Sequence, residues 1–250
     1  MKNVAILLII FFISRSLHAT VIIGHRGASG YMPENTISSF ERAIADGVDM
    51  IELDVWKCLS GELVVFHDPK LDRVTNDVGR IDSKKLDDLK LLLVLGQETI
   101  PTLREVLDCI DRRVKICIEL KGLCVALDVV HVIEEYIQNK EWRYEDFIVT
   151  SFDHTQLHEV KNCNSAIVIA ALIYGIPINL SASAAQIDAD ITVLDAEFIT
   201  QRFVDDIHDR GMLVYVFTIN DKDDLMNVIG YGVDGIITDY PNYISSFFSS

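Results

Sequence analysis

Two hydrophobic rhythms alternate along this chain. Nearly continuous Val/Ile/Leu runs stand at residues 21–24, 50–55, 114–120, 147–151, 167–173, 191–195, 213–218 and 235–238. Between them, apolar residues recur at helical spacing over 35–46, 103–110, 125–138, 155–161, 203–209 and 222–229. A short Ala/Ser-rich helix is expected before residue 191 and a closing one at 242–248. Unbroken apolar strands suit a parallel sheet covered by helices on both faces. One run breaks the rhythm: in "IELDVWKCLSGELVVFHD", only six residues separate Val55 from the run at 62–67. A parallel crossover needs about a dozen residues or more, so this pair predicts an antiparallel hairpin turning near Leu59. The hairpin opens an excursion over about residues 56–100 that adds no strand to the main sheet. Eight βα units remain. That count predicts an α/β fold, a TIM (β/α)8 barrel with a small insertion after strand 2. An open doubly wound sheet is the alternative, but "GHRGASG" does not supply the glycine spacing of a dinucleotide loop.

The first residues follow neither rhythm. Lys2, an apolar run of ten over 4–13 and the small-residue stretch Leu17-His18-Ala19 read as a secretory signal peptide over residues 1–19. The run is too short to span a bilayer. The expected product is one domain over residues 20–250, exported to a periplasm or beyond the cell, with no stable membrane insertion after cleavage. The 22 basic and 38 acidic residues give a formal charge of −16, which becomes −18 when Lys2 and Arg15 leave. Such a body repels nucleic acid and anionic surfaces, so an anionic substrate must meet positive charge held within the site. Cys58, Cys109, Cys117, Cys124 and Cys163 fit neither a zinc ribbon nor a small disulfide scaffold, and free thiols, buried at Cys109 and Cys117, are expected.

In such a barrel, chemistry gathers where strands end. Strand one offers His25 and Arg26, strand two Glu52 and Asp54, and the third barrel strand Glu119 and Lys121. Ser151, Thr218, Asn220 and Asp239 end later strands, and the hairpin should return His67-Asp68 to about the level of Glu52. Residues two apart share a strand face, so Glu52 and Asp54 point together, as do Glu119 and Lys121. Carboxylates gathered in a barrel mouth repel unless a cation neutralises them. Oxygen donors favour Mg²⁺ or Ca²⁺. Two imidazoles can divide acid and base work, and Arg26 and Lys121 suit a phosphate. Together these groups describe hydrolysis of a phosphodiester. Singly, each has a plainer reading: His-Arg as a solvated pair, Glu-x-Asp as partners of nearby donors. Their joint arrival at strand ends decides the matter. His18 leaves with the leader, and His131, His154, His158 and His208 read as surface residues. Asn179-Leu180-Ser181 is a glycosylation sequon of low specificity, and Ser151 lacks a nucleophile elbow.

The segments "GHRGASGYMPENTISSFERAIADGVDMIELDV", "GELVVFHDPKLDRVTNDVG", "IPTLREVL", "IELKG", "SFD" and "GIITDYP" occur in that order. In this ordered set the chain resembles the glycerophosphodiester phosphodiesterase family, within the TIM-barrel phosphodiesterases that include phosphatidylinositol-specific phospholipases C. The resemblance implies His25 and His67 as the acid–base pair and Glu52, Asp54 and Glu119 as ligands of one divalent cation. It implies Arg26 and Lys121 near the phosphate, and the excursion as the family's insertion. Two departures stand out: "VFTIN" puts Phe217 where the family usually has Trp, and "CLSG" puts Cys58 and Ser60 in the hairpin turn. The first bears on the pocket wall, the second on turn chemistry.

The expected activity is metal-dependent hydrolysis of glycerophosphodiesters to glycerol 3-phosphate and an alcohol. Attack by a neighbouring glycerol hydroxyl and direct attack by water both remain open. One alternative is a phospholipase D- or C-type enzyme acting on lysolipid or intact phospholipid. Acidity and the lack of a basic amphipathic segment count against it. Another is a non-catalytic phosphodiester-binding barrel, which would have no use for paired proton carriers.

Overall fold

The structure is a computed structural model describing residues 20–248; the expected signal peptide and His18 lie outside the described residues. The chain begins with β1 (Val21–Gly24), α1 (Ile37–Ala45), β2 (Met50–Lys57) and β3 (Leu63–Val65). Next come α2 (Leu86–Leu89), β4 (Leu93–Val94), β5 (Glu98–Thr99), α3 (Leu103–Ile110) and β6 (Lys115–Leu120). Then α4 (Ala126–Asn139), β7 (Phe147–Ser151), α5 (His154–Cys163), β8 (Val168–Ile173), α6 (Ala182–Gln186) and β9 (Ile191–Asp195) alternate. The last elements are α7 (Gln201–Asp209), β10 (Leu213–Phe217), α8 (Lys222–Tyr231), β11 (Gly235–Thr238) and α9 (Pro241–Ser245).

Parallel pairing runs β1-β11-β10-β9-β8-β7-β6-β2, and the β1–β2 ladder closes the circle. The result is the expected TIM barrel. Strand parity sorts its side chains: Ile51, Leu53 and Val55 of β2 join the layer beneath the helices, while Met50 points inward with Ile23, Cys117, Tyr215 and Ile237. Glu52 and Asp54 share the parity of Met50, and so lie on the inner face. The helices are held by local chemistry as well as by burial. At α3, Thr102 Oγ1 accepts from the N–H of Glu105 at 3.2 Å, and Glu105 Oε2 accepts from the N–H of Thr102 at 2.7 Å. This reciprocal cap contributes about 1 kcal/mol. It aims Leu103, Val106, Leu107 and Ile110 into the core.

The hairpin forms as expected, with Val55 opposite Val65 and Lys57 opposite Leu63 in antiparallel register. The excursion has a small core of its own, including Trp56, Phe66, Leu71, Ile81, Leu89 and Ile100. Phe66 N donates to Asp54 O at 2.9 Å, and Trp56 Nε1 donates to His67 O at 3.1 Å. These bonds pin His67 beside the end of β2.

Several expectations need correction. The first helix starts at Ile37, not at residue 35, because Asn35 is left-handed and Thr36 is the cap. All five cysteines are free, but Cys109 is half-buried, and Cys124 and Cys163 are exposed, at a loop and a helix end. His131 and His158 are exposed as expected. His154 and His208 are half-buried, since His154 Nε2 donates to Leu172 O at 2.9 Å and His208 Nε2 lies 2.8 Å from Asp234 Oδ2. Among the described residues, no helix is long and apolar enough to cross a membrane.

Candidate functional site

The β2–β6 register sets Asp54 beside Glu119 and Glu52 beside Cys117. Glu52, Asp54 and Glu119 are all buried, and each offers an oxygen within 4.8 Å of the others. The loop after β1 serves them. Arg26 N donates to Glu52 Oε2 at 2.9 Å, and Asn35 Nδ2 donates to Asp54 Oδ2 at 2.8 Å. Both residues take left-handed backbone, φ 53° and 57°. That conformation costs an L-residue about 1–2 kcal/mol, and here it turns two donors onto two carboxylates.

Burial pushes Glu52 well above the ordinary carboxylate range, and the charges of Asp54 and Glu119 push it further. Glu119 is raised to about 7, first by burial and then by Asp54. Burial also pushes Asp54 up, but Lys121, Arg26, His67 and the Asn35 hydrogen bond outweigh it, and its pKa is lowered. Asp54 is thus the carboxyl of the three most disposed to stay charged, while Glu52 and Glu119 are shifted toward holding protons unless more positive charge arrives.

Among the described residues, Arg26 Nε, Asp54 Oδ1 and Glu119 Oε1 are buried without a hydrogen-bond partner. Lys121 Nζ lies 2.7 Å from Glu119 Oε1 and 3.5 Å from Asp54 Oδ1, close enough to balance charge but outside hydrogen-bond geometry. A buried polar atom left unpaired costs about 1–3 kcal/mol. Two such oxygens within a cluster of carboxylates fit a hard divalent cation. Arg26 Nε lies 3.5 Å from Asp54 Oδ2, also outside hydrogen-bond geometry, and its N–H beside the cluster fits an anion.

Each candidate histidine is held at Nδ1 by a carboxylate. His25 Nδ1 lies 2.6 Å from Asp239 Oδ1, and His67 Nδ1 lies 2.6 Å from Asp68 Oδ1. In both, Nε2 is left as the nitrogen for a bound substrate, with the tautomer set from behind. Asp239 also accepts from Ser29 Oγ at 2.8 Å and Asn220 Nδ2 at 2.7 Å. Burial alone would raise Asp239, but these partners bring it down to about 2. His67 is lowered, chiefly by burial and then by Arg26 and Lys121 against the pull of Asp54 and Asp68.

Sequence reasoning missed a further layer. Arg26 Nη1 donates to Glu34 Oε1 at 2.9 Å, and Arg73 bridges Glu34 and Asp68, donating to Glu34 Oε1 at 2.7 Å, Glu34 Oε2 at 2.8 Å and Asp68 Oδ2 at 2.6 Å. Glu34 and Asn35 stand in "PEN", and Arg73 in "KLDR". The only hint in the sequence was charge close to segments already singled out.

Every predicted site residue converges. His25, Arg26, Glu52, His67, Glu119 and Lys121 line one cavity of about 160 Å³, with Asp54 within the carboxylate cluster. Its other wall is apolar, with Phe152, Leu172, Val193, Phe217 and Ile237. Phe217 meets Phe152 edge-on at 6.2 Å, so the unusual phenylalanine does form pocket wall. Ser60 Oγ and Cys58 Sγ both bond Glu62 Oε2, turn chemistry remote from the cavity lining. Ser151 Oγ donates to Leu120 O at 3.0 Å, a structural bond.

The sequence pattern of the Glycerophosphoryl diester phosphodiesterase family matches residues 25–243. A glycerophosphodiester phosphodiesterase of Caldanaerobacter subterraneus subsp. tengcongensis is 35% identical over 232 residues, covering 89% of this chain and 95% of that one. The enzyme of that name from Bacillus altitudinis is 32% identical, over 89% of this chain and 96% of its own. Among solved structures, an Oleispira antarctica phosphodiesterase in complex with the product sn-glycerol-3-phosphate superposes with a TM-score of 0.84 at 30% identity, covering 92% and 97% of the two chains. Pattern, barrel and relatives agree that the chain belongs to the glycerophosphoryl diester phosphodiesterase family, whose members are phosphoric diester hydrolases.

Proposed function

We propose that this protein, exported and freed of residues 1–19, hydrolyses glycerophosphodiesters to sn-glycerol 3-phosphate and the free alcohol with one divalent cation, Mg²⁺ or Ca²⁺. The observation that carries this reading is the grouping of Arg26 Nε, Asp54 Oδ1 and Glu119 Oε1, ion-paired but without hydrogen bonds, in a cavity lined by two carboxylate-oriented histidines. The same substrate class accords with the product bound by the Oleispira relative. Glu52, Asp54 and Glu119 would hold the cation, which supplies positive charge to the phosphate oxygens and to an attacking or leaving oxygen. Arg26 Nε and Lys121 Nζ meet the remaining phosphate charge, the guanidinium kept in place by Glu34. One imidazole takes the proton of the attacking hydroxyl, and the other gives a proton to the departing alkoxide. Asp239 and Asp68 fix which nitrogen faces the substrate. Over the whole reaction, water divides between phosphorus and the leaving oxygen.

A hydrolysis panel of several glycerophosphodiesters, with and without added Mg²⁺ or Ca²⁺ and with EDTA, tests this. Turnover should require the ion and release glycerol 3-phosphate. Binding without cleavage under every ion would favour a capture protein instead.

Arg73 adds a sharper expectation. It clamps the carboxylates that orient both His67 and Arg26, so Arg73→Ala should lower kcat/KM by about tenfold with the fold retained. Arg73→Lys should recover little, because a point charge cannot reproduce a planar fork. Steady-state kinetics on glycerophosphocholine, paired with circular dichroism, checks both.

A further inference from the structure

Asn220 stands apart from the cavity lining, yet both ends of its amide are engaged. Two local devices deliver it. Ile219, fully buried, donates its N–H to Ile237 O at 2.9 Å and so carries the pairing with β11 past the end of β10. Asp221 then caps α8, its Oδ1 accepting from Asp223 N at 2.9 Å and Asp224 N at 3.0 Å. Asn220 is held between these two fixtures, with its side chain against the end of β11.

Its partners there are Thr238 and Asp239. Asn220 Oδ1 accepts from Asp239 N at 2.9 Å and from Thr238 Oγ1 at 3.2 Å, while Nδ2 donates to Asp239 Oδ2 at 2.7 Å. Two donors at one end and a carboxylate at the other leave the amide a single orientation. The same dipeptide is the mount of His25. His25 N donates to Thr238 O at 2.8 Å, and its Nδ1 lies 2.6 Å from Asp239 Oδ1. Backbone and ring of His25 therefore both rest on residues that Asn220 fastens. Ser29 Oγ shares Oδ1 with the ring, at 2.8 Å, and Asn220 holds Oδ2.

We propose that Asn220 is a positioning residue for hydrolysis, acting through Asp239 to keep neutral His25 protonated at Nδ1 with Nε2 turned to the substrate; this rests on the hydrolytic reading. Asp239, brought down to about 2, is an ionised carboxylate and only accepts, so a neutral ring beside it carries its hydrogen on Nδ1. The direction of Oδ1 matters as much as its presence. Asp239's side chain is 27% exposed, so without the amide water takes Oδ2, the carboxylate turns about its terminal bond and the oxygen facing His25 is no longer fixed. The neutrality of the donor matters too. A lysine or arginine there would offset the negative charge that stabilises His25 when it takes up a proton, whereas an amide orients the carboxylate and leaves that charge intact.

The ring reports the outcome without turnover. Two-bond proton–nitrogen correlation spectra of the full chain, with the His25 signals assigned by their loss in His25→Ala, should show neutral His25 protonated at Nδ1 in the wild type. In Asn220→Ala the ring should pass to a mixture of tautomers. Its kcat on glycerophosphocholine should fall by about 10–100-fold, with KM within about threefold of wild type because Arg26 and Lys121 are untouched. Asn220→Asp, assayed at about pH 8, keeps the shape and the acceptor for Asp239 N but sets a second negative charge against Oδ2. It should lose at least as much, and it decides the matter if the alanine variant fails to fold. A kcat within about twofold of wild type in the variants that fold overturns the proposal. So does a loss of kcat with the His25 tautomer unaltered, or a loss that falls on KM instead. If the wild type cleaves no diester, the hydrolytic reading fails, and the spectra alone still decide whether Asn220 sets the ring.

Discussion

Replacing either His25 or His67 by alanine is expected to lower kcat on glycerophosphocholine by about 10²–10⁴-fold, the usual worth of a positioned proton carrier. KM should move only a few-fold, because the groups that meet the phosphate, Arg26 and Lys121, and the carboxylates behind them stay in place. The reason lies in how each ring is mounted. A carboxylate lies 2.6 Å from Nδ1 of both histidines, so under the proposed mechanism Nε2 of each would be the working atom. In that mechanism neither could substitute for the other, because proton removal and proton donation would fall on different oxygens of the same ester. Each single variant should therefore come close to the floor, and the double variant should fall well short of the product of the two losses. Steady-state rates for the two singles and the double settle the point. Near wild-type turnover in both singles would falsify the assignment.

Much of this site was legible before any coordinates. That Glu52 and Asp54 share one strand face follows from their spacing alone, because strand parity is fixed by backbone geometry; the structure makes that face the inner one, with Ile51, Leu53 and Val55 in the outer layer. The hairpin was legible for a similar reason: too few residues separate Val55 from Glu62 for any parallel crossover. What could not be read is the layer that orients the chemistry. Asp239 is 214 residues from His25, and Arg73 is 39 from Glu34, so only closure of the barrel and docking of the insertion bring each pair together. Local pattern is silent on such contacts. His208 shows the opposite case: a polar residue on a helix reads as surface, yet its partner Asp234, 26 residues on, half-buries it.

The carboxylate cluster yields the second large effect, in stability. Glu119 is raised from the ordinary 4.5 to about 7. The folded state then holds a proton that the unfolded chain releases above pH 4.5, and stability must fall as pH climbs from about 4.5 through about 7. For Glu119 alone the loss has an upper bound of about 3 kcal/mol, and Glu52, raised further by burial and its acidic neighbours, acts in the same direction. Asp54 acts the other way: its lowered pKa contributes stability above the ordinary 3.8 that is lost as the pH falls through its folded value. Protein stripped with EDTA should accordingly be most stable in mild acid and melt earlier at pH 8 than at pH 5. A divalent ion held by the triad would take the place of the protons on Glu52 and Glu119, so ion and proton would compete. At an ion concentration of 100 times Kd, binding stabilises by about 2.7 kcal/mol, which for a chain of this size raises Tm by roughly 5–10 °C. Because protons compete, most of that rise should be present at pH 8 and little at pH 5. Thermal melts in EDTA and in excess Mg²⁺ or Ca²⁺ at the two pH values measure it directly. Glu119→Gln supplies the internal control: with that proton site gone, the EDTA protein should lose part of its pH slope, and the rise with ion should shrink at pH 8. An ion-induced rise of equal size at both pH values, unaltered in Glu119→Gln, would mean that the ion binds elsewhere and that the three acidic side chains are held together by Lys121 and Arg26 alone.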